Sequence, residues 1–355
     1  MAEPRTRRVL PDWVSPAVRS ATWLSIASGM AQFTVTAVIG DVAATFGASA
    51  ATGAVAERLG RSATSVGTAL AVIRLASLAS LPAAAIADRL GRRRTLITMS
   101  VLGLGLTALA ALAPGFWWFV ALVALARPAM SAVNALAGVV VSEETRTADR
   151  SAAIGLVTAA YGLGAGLVAV LRGVVPGALD FRLVTALSLV PLVLLPLIAR
   201  RLEEPALASR AAEHVERGLP GRIPRRYLRV TVVLGVVTGA IALGTGPAFT
   251  YLFVYGERVI GMSPGTLSLL VLGAAPFGLA GLVIGRAGAD RIGRAPTAGL
   301  TMAATGIAVA WAYTGTPARL ATGYLAAIMA SSAFAPPAGA LAAELVPTRV
   351  RATIA

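Results

Sequence analysis

The 355-residue chain contains no cysteine, no lysine and one histidine. Without Cys there can be no disulfide, no thiol nucleophile and no thiolate ligand. His214, in a polar stretch with Glu213, Glu216 and Arg217, reads most simply as a solvated residue, with a pH sensor as the alternative. No nucleophile–base pair is visible, so nothing in the sequence points to an enzyme. Charge is scarce too: 13% of residues are charged against 57% hydrophobic, and mean hydropathy is +0.78. A soluble domain of this length needs more polar surface, so the chain is all-α and integral to a membrane. All 31 basic residues are Arg, which speaks of a GC-rich genome rather than of a mechanism.

A span needs about 20 apolar residues. Ten such stretches can be placed, near 20–41, 63–87, 95–114, 116–142, 151–171, 182–199, 229–253, 265–286, 295–315 and 319–343. The N-terminus and the loops after even-numbered spans hold 23 Arg, and the loops after odd-numbered spans hold 6. Such asymmetry predicts a cytoplasmic N-terminus in a cell-membrane protein. A net charge of +15 therefore faces the inner lipid leaflet, because a nucleic-acid patch would not alternate with span number. The longest inner link divides the chain into a six-helix bundle (1–200), a linker (201–228) and a four-helix segment (229–355).

Two strings recur at nearly one offset. Ala87-Asp88-Arg89-Leu90-Gly91-Arg92 returns as Ala289-Asp290-Arg291-Ile292-Gly293-Arg294, 202 residues on. Glu143, Thr147 and Arg150 align with Glu344, Thr348 and Arg351 at an offset of 201. Two anchors at one spacing indicate a parallel internal duplication. Carrying the first half's layout forward predicts an eleventh and a twelfth span beyond Ala355.

The run Asp88-Arg89-Leu90-Gly91-Arg92-Arg93-Arg94 resembles the signature loop of the major facilitator superfamily of secondary transporters. Ala84 stands where the family pattern begins with Gly. Asp290-Arg291-Ile292-Gly293-Arg294 is a weaker copy, and Glu344 through Pro347 with Arg351 resembles the family's loop after the tenth span. The resemblance implies a pair of six-helix bundles, here with the second incomplete. It also implies that Asp88 gates by docking against the start of an eleventh helix, and Asp290 against the helix that begins near Ser151. Read from the residues alone, Gly91 permits a tight turn and the Arg cluster anchors the inner helix ends at anionic lipid.

Arg74 and Arg127 each lie about ten residues inside a span, roughly 15 Å deep. An Arg there costs roughly 2.5–3.5 kcal/mol on insertion scales, so each should face a cavity or a partner. Either they form a strut between the second and fourth spans, or they contact an anion or solute. Arg127 resembles the Arg of the family's fourth-span motif, with Ser131 in place of its Gly. Gln32, Asn134 and Tyr251 are polar residues in spans that line the family's cavity, and each could equally be satisfied by a neighbouring helix. No Asp or Glu falls at mid-span depth. Asp41, at the outer end of the first span, is the best candidate for proton coupling, against a helix-end role. Gly162, Gly164 and Gly166 predict close helix contact.

These readings converge on a monomeric exporter of a small drug-like or metabolite solute, driven by a proton or other ion gradient without a cofactor. The alternative is a truncated, transport-inactive membrane protein.

Overall fold

The computed structural model describes residues 15–47, 63–81, 87, 90–145, 150–174, 181–201, 232, 239, 245, 246 and 248–345. The linker with His214, most of the stretch 229–253, and Asp88, Arg89, Pro347 and Arg351 lie outside them. Every element among the described residues is helical. Among the described residues, seven helices are long and apolar enough to cross a membrane, with a shorter apolar helix at Thr64–Ser80. The chain is a multi-pass membrane protein, and it divides into two compact units. The first comprises Met1–Leu171 with Gly177–Glu216, and the second comprises Arg172–Pro176 with Arg217–Ala355.

In the first unit the helices are α1 (Pro16–Thr45), α2 (Ala63–Ala76, continued by a 3-10 turn over Ser77–Ser80) and α3 (Arg92–Leu109). They are followed by α4 (Phe116–Glu144), α5 (Arg150–Val174, whose last three residues belong to the second unit), α6 (Phe181–Ala186) and α7 (Leu189–Arg201). Helix α1 starts where Ser15 accepts the Val18 amide at 3.2 Å and Pro16 occupies the first turn, a cap-plus-proline start. It is the innermost helix, burying Ala17, Ala21, Ala27, Ser28, Gly29 and Ala31. Lipid tails are as apolar as Leu, so small residues that let backbones approach hold membrane helices together. Helix α4 packs against α1, α2 and α3.

The expected sixth span is present as one apolar stretch, Phe181–Arg200, with a local turn at Leu187–Ser188 between α6 and α7. The Ser188 hydroxyl donates to the Thr185 carbonyl at 2.7 Å, and Ser188 N–H bonds the same carbonyl at 3.2 Å. This local hydroxyl bond competes with the α-helical ladder.

The second unit holds α8 (Leu252–Tyr255), which runs into a π turn over Gly256–Ile260, then α9 (Pro264–Ile292), α10 (Arg294–Ala312) and α11 (Pro317–Leu345). Ser263 caps α9 by accepting the Thr266 amide at 3.2 Å. Helix α11 packs on both α9 and α10, much as α4 packs on its neighbours.

The duplication is written into the backbone. Helices α4 and α11 both have 29 residues and start 201 apart, at Phe116 and Pro317. Gly91 and Gly293, 202 apart, have φ of 90° and 94° and lead into α3 and α10. Only Gly takes such a φ without strain. Thr95 and Thr297 then repeat one local bond: each hydroxyl donates to the carbonyl of its glycine, at 2.9 and 2.7 Å.

Candidate functional site

The polar residues of the first unit gather where α1, α4, α5 and the turn after α2 converge. Gln32 and Ser28 lie one turn apart on α1, so their side chains share a face. Gln32 Nε2 donates to Ser28 Oγ at 2.9 Å, and Ser28 Oγ donates to the Met130 carbonyl of α4 at 2.9 Å. One turn from Met130, Arg127 is half-buried, roughly 16 Å along α4 from its first residue. Its Nε donates to Ser77 Oγ at 3.1 Å. Ser77 is the one hydrogen-bond partner of Arg127 among the described residues, so Nη1 and Nη2 carry none.

Arg74, one turn before Ser77, is exposed. Arg127 feels the charge of Arg74, and both interact electrostatically with Tyr161 of α5. Tyr161 is brought there by an intimate crossing of α1 and α5. A Cβ on Gly29 would overlap the Tyr161 carbonyl, and one on Gly164 would overlap the Ile26 carbonyl. Gly162 has open space at the same test. Asn134, half-buried on α4, sits one turn beyond Met130.

Among the described residues of the first unit, the acidic groups lie toward helix ends. Asp41 is half-buried in the last turn of α1, roughly 13 Å along the helix from Gln32. Glu143 and Glu144 close the far end of α4, roughly 25 Å from Arg127. Among the described residues no group of three or more His, Cys, Asp or Glu could hold a metal ion.

The second unit treats a buried guanidinium differently. Arg172 and Glu257 form a forked ion pair, with Nη2–Oε2 at 2.8 Å, Nη2–Oε1 at 3.0 Å and Nε–Oε1 at 3.1 Å. The two side chains are only 8% and 13% exposed, and Arg172 also lies over the Phe253 ring. Nearby, Tyr251 is half-buried just before α8 and joins an aromatic group. Tyr255 and Tyr313 have ring centres 4.7 Å apart, and Tyr255 Oη donates to the Tyr313 carbonyl at 3.2 Å. Tyr251, Tyr255 and Tyr324 all lie near Tyr313.

The signature loops occupy helix ends. Gly91, Arg92 and Arg93 start α3, and Arg93 Nη2 donates to the Ala199 carbonyl of α7 at 3.1 Å. A cation there meets the negative end of a helix dipole. Asp290 and Arg291 are exposed at the end of α9, and Gly293 and Arg294 start α10. Glu143, Arg150 and Glu344 lie in the terminal turns of α4, α5 and α11, with their side chains outside the described residues.

The structure thus gathers Arg74, Arg127, Gln32 and Asn134 in one region of the first unit. It adds Ser77, Ser28 and Tyr161, which sequence reading had not singled out. The i, i+3 spacing of Arg74 with Ser77 and the i, i+4 spacing of Ser28 with Gln32 were available signals; Tyr161 had none.

Comparison with known proteins gives a consistent outcome. The family model described as Major Facilitator Superfamily matches residues 21–355. No curated protein matches the sequence significantly. Among solved structures, a D-xylose-proton symporter aligns with a TM-score of 0.70 at 18% identity, covering 96% of this chain and 84% of that one. A bacterial homologue of the human lysosomal transporter Spinster, inward-facing and occupied, aligns at 0.66 and 16% identity, over 95% and 76%. A peptide transporter, POT, in complex with sulfate aligns at 0.66 and 13% identity, over 95% and 84%. At such identities the likeness is one of fold.

Proposed function

Since the chain belongs to the Major Facilitator Superfamily, we propose that it is a secondary active transporter that exports a small organic solute across the cytoplasmic membrane. Alternating access, by rocking of two helical halves, is the mechanism this fold supports. In this reading 1–200 and 229–355 are the two halves and 201–228 is their cytoplasmic linker, with the N-terminus also cytoplasmic. The chain works as a monomer, without a cofactor, in contact with lipid and solute.

The observation that carries the reading is Arg127, set well inside α4 with one hydroxyl as its hydrogen-bond partner among the described residues. A charge at that depth is expensive and is characteristically functional. Arg127, Arg74, Gln32 and Asn134 of the first unit and Tyr251 of the second are the candidate solute contacts. Asp41 is the proton-coupling candidate, the carboxylate nearest along α1 to that cluster. Asp88, Asp290 and the glycine and arginine residues of the two loops govern the change of access. Export is favoured because the polar set is small and its surroundings apolar.

Everted membrane vesicles bearing the chain, energised and offered a panel of labelled organic anions, neutral solutes and lipophilic cations, test this proposal. Accumulation of at least one solute above vesicles lacking the chain is expected. Vesicles that match the control for every solute would sink the transport reading in favour of the transport-inactive alternative.

A further inference from the structure

We propose that the solute of this transporter carries an aromatic ring with a polar substituent, received in the second unit by Tyr324 and Tyr251. The inference rests on the transport reading and names its substrate class.

Three stretches of the second unit build this aromatic group: residues 248–255, the end of α10, and the start of α11, where Tyr324 lies roughly 10 Å along the helix from Pro317. Helices α10 and α11 approach closely there: a Cβ on Gly323 would fall 2.6 Å from the Ala312 nitrogen. Tyr324 and Tyr313 are the next residues along each chain segment from that contact. The Phe249 ring meets Tyr324 edge-on at 5.8 Å between centres, and the Tyr255 ring lies 4.7 Å from that of Tyr313. Tyr251 stands one turn before Tyr255, whose amide bonds its carbonyl at 2.7 Å. Two of the four phenols are committed to the backbone. Tyr255 Oη donates to the Tyr313 carbonyl at 3.2 Å, and Tyr313 Oη donates to the Ala248 carbonyl. Those bonds tie the end of α10 to both ends of the 248–255 stretch and hold the two rings in place.

Tyr324 and Tyr251 are the other two. Tyr324 is 7% exposed and Tyr251 is half-buried, and neither phenol has a hydrogen-bond partner among the described residues. The hydroxyl of an enclosed tyrosine usually finds one. A cluster that only filled space would be served by Phe, as it is at Phe249. The group therefore offers ring faces and edges together with two hydroxyls, each able to donate and to accept. Aromatic rings favour offset or edge-on partners at separations like those within the cluster, so a planar ring on the solute extends it. A carbonyl, amide or ether on that ring supplies the missing hydrogen bonds. A saturated solute of equal size forgoes the ring contacts, and a bare hydrocarbon ring leaves both hydroxyls unmet.

The test uses the purified full chain in detergent, with melting temperature as the readout, since a ligand that binds only the folded state raises it. The probes are benzamide and indole-3-carboxamide, set against cyclohexanecarboxamide, which has the same amide on a saturated ring. At least one aromatic amide is expected to raise the melting temperature more than the saturated one does. Tyr324→Phe and Tyr251→Phe keep the rings and remove only the hydroxyls, so each should lose part of the shift and the double variant most of it. No shift with either aromatic amide, an equal shift with cyclohexanecarboxamide, or a shift that the double variant keeps overturns the assignment. The vesicle assay separates this failure from that of the transport reading, because vesicles that accumulate only non-aromatic solutes retain the transporter and remove the aromatic solute.

Discussion

Arg172 and Arg127 are guanidinium groups in apolar surroundings, and the chain resolves them in opposite ways. Arg172 meets a carboxylate in a forked pair and a ring face. Among the described residues Arg127 meets one hydroxyl. Removing one member of a buried pair leaves the other uncompensated, whereas removing a lone charge relieves a cost. The contrast separates a charge that holds structure from a charge held ready for something else.

The largest expected effect comes from breaking the pair. Glu257→Gln strands Arg172 and should cost about 3–5 kcal/mol, read as a clear fall in melting temperature. Arg127→Gln, measured beside it, should leave that temperature unchanged or raise it. Equal falls in both variants would erase the distinction between the two arginines.

A smaller effect is expected where α1 and α5 cross. Gly164→Val drives a side chain into the Ile26 carbonyl and should cost about 1–3 kcal/mol as overpacking. Gly162→Ala, whose Cβ meets open space, should change stability by under about 0.5 kcal/mol. The same stability loss at both positions would mean that close approach is not what seats Tyr161 beside the arginines. Smallest is Ser77→Ala, which removes the partner of Arg127 and should cost about 1 kcal/mol. That variant sharpens the comparison, because deleting a positioning hydroxyl should weaken vesicle accumulation more than it lowers the melting temperature.

What could be read from the sequence follows from local physics. The duplicated strings demanded a tight glycine turn before a helix, and Gly91 and Gly293 supply it with matching φ values. The membrane class followed from the scarcity of charge, and the depth of Arg74 and Arg127 from counting residues along a span. Contacts between distant segments had no such signal. Arg172 and Glu257 lie 85 residues apart in sequence, each outside the expected spans. Tyr161 was one aromatic among many until the crossing at Gly29 and Gly164 placed it. The sixth span was legible as one apolar stretch, but the local turn within it depended on hydroxyl bonds at Ser188 and Thr185, which hydropathy does not register.

The central claim is that Arg127 serves transport and not architecture. Accumulation by everted vesicles carrying Arg127→Gln, compared with unaltered vesicles at equal amounts of inserted protein, tests it most directly. The expected result is loss of accumulation with no loss of melting temperature. Accumulation at the unaltered rate would contradict the claim and return Arg127 to the role of a strut between α4 and the turn at Ser77.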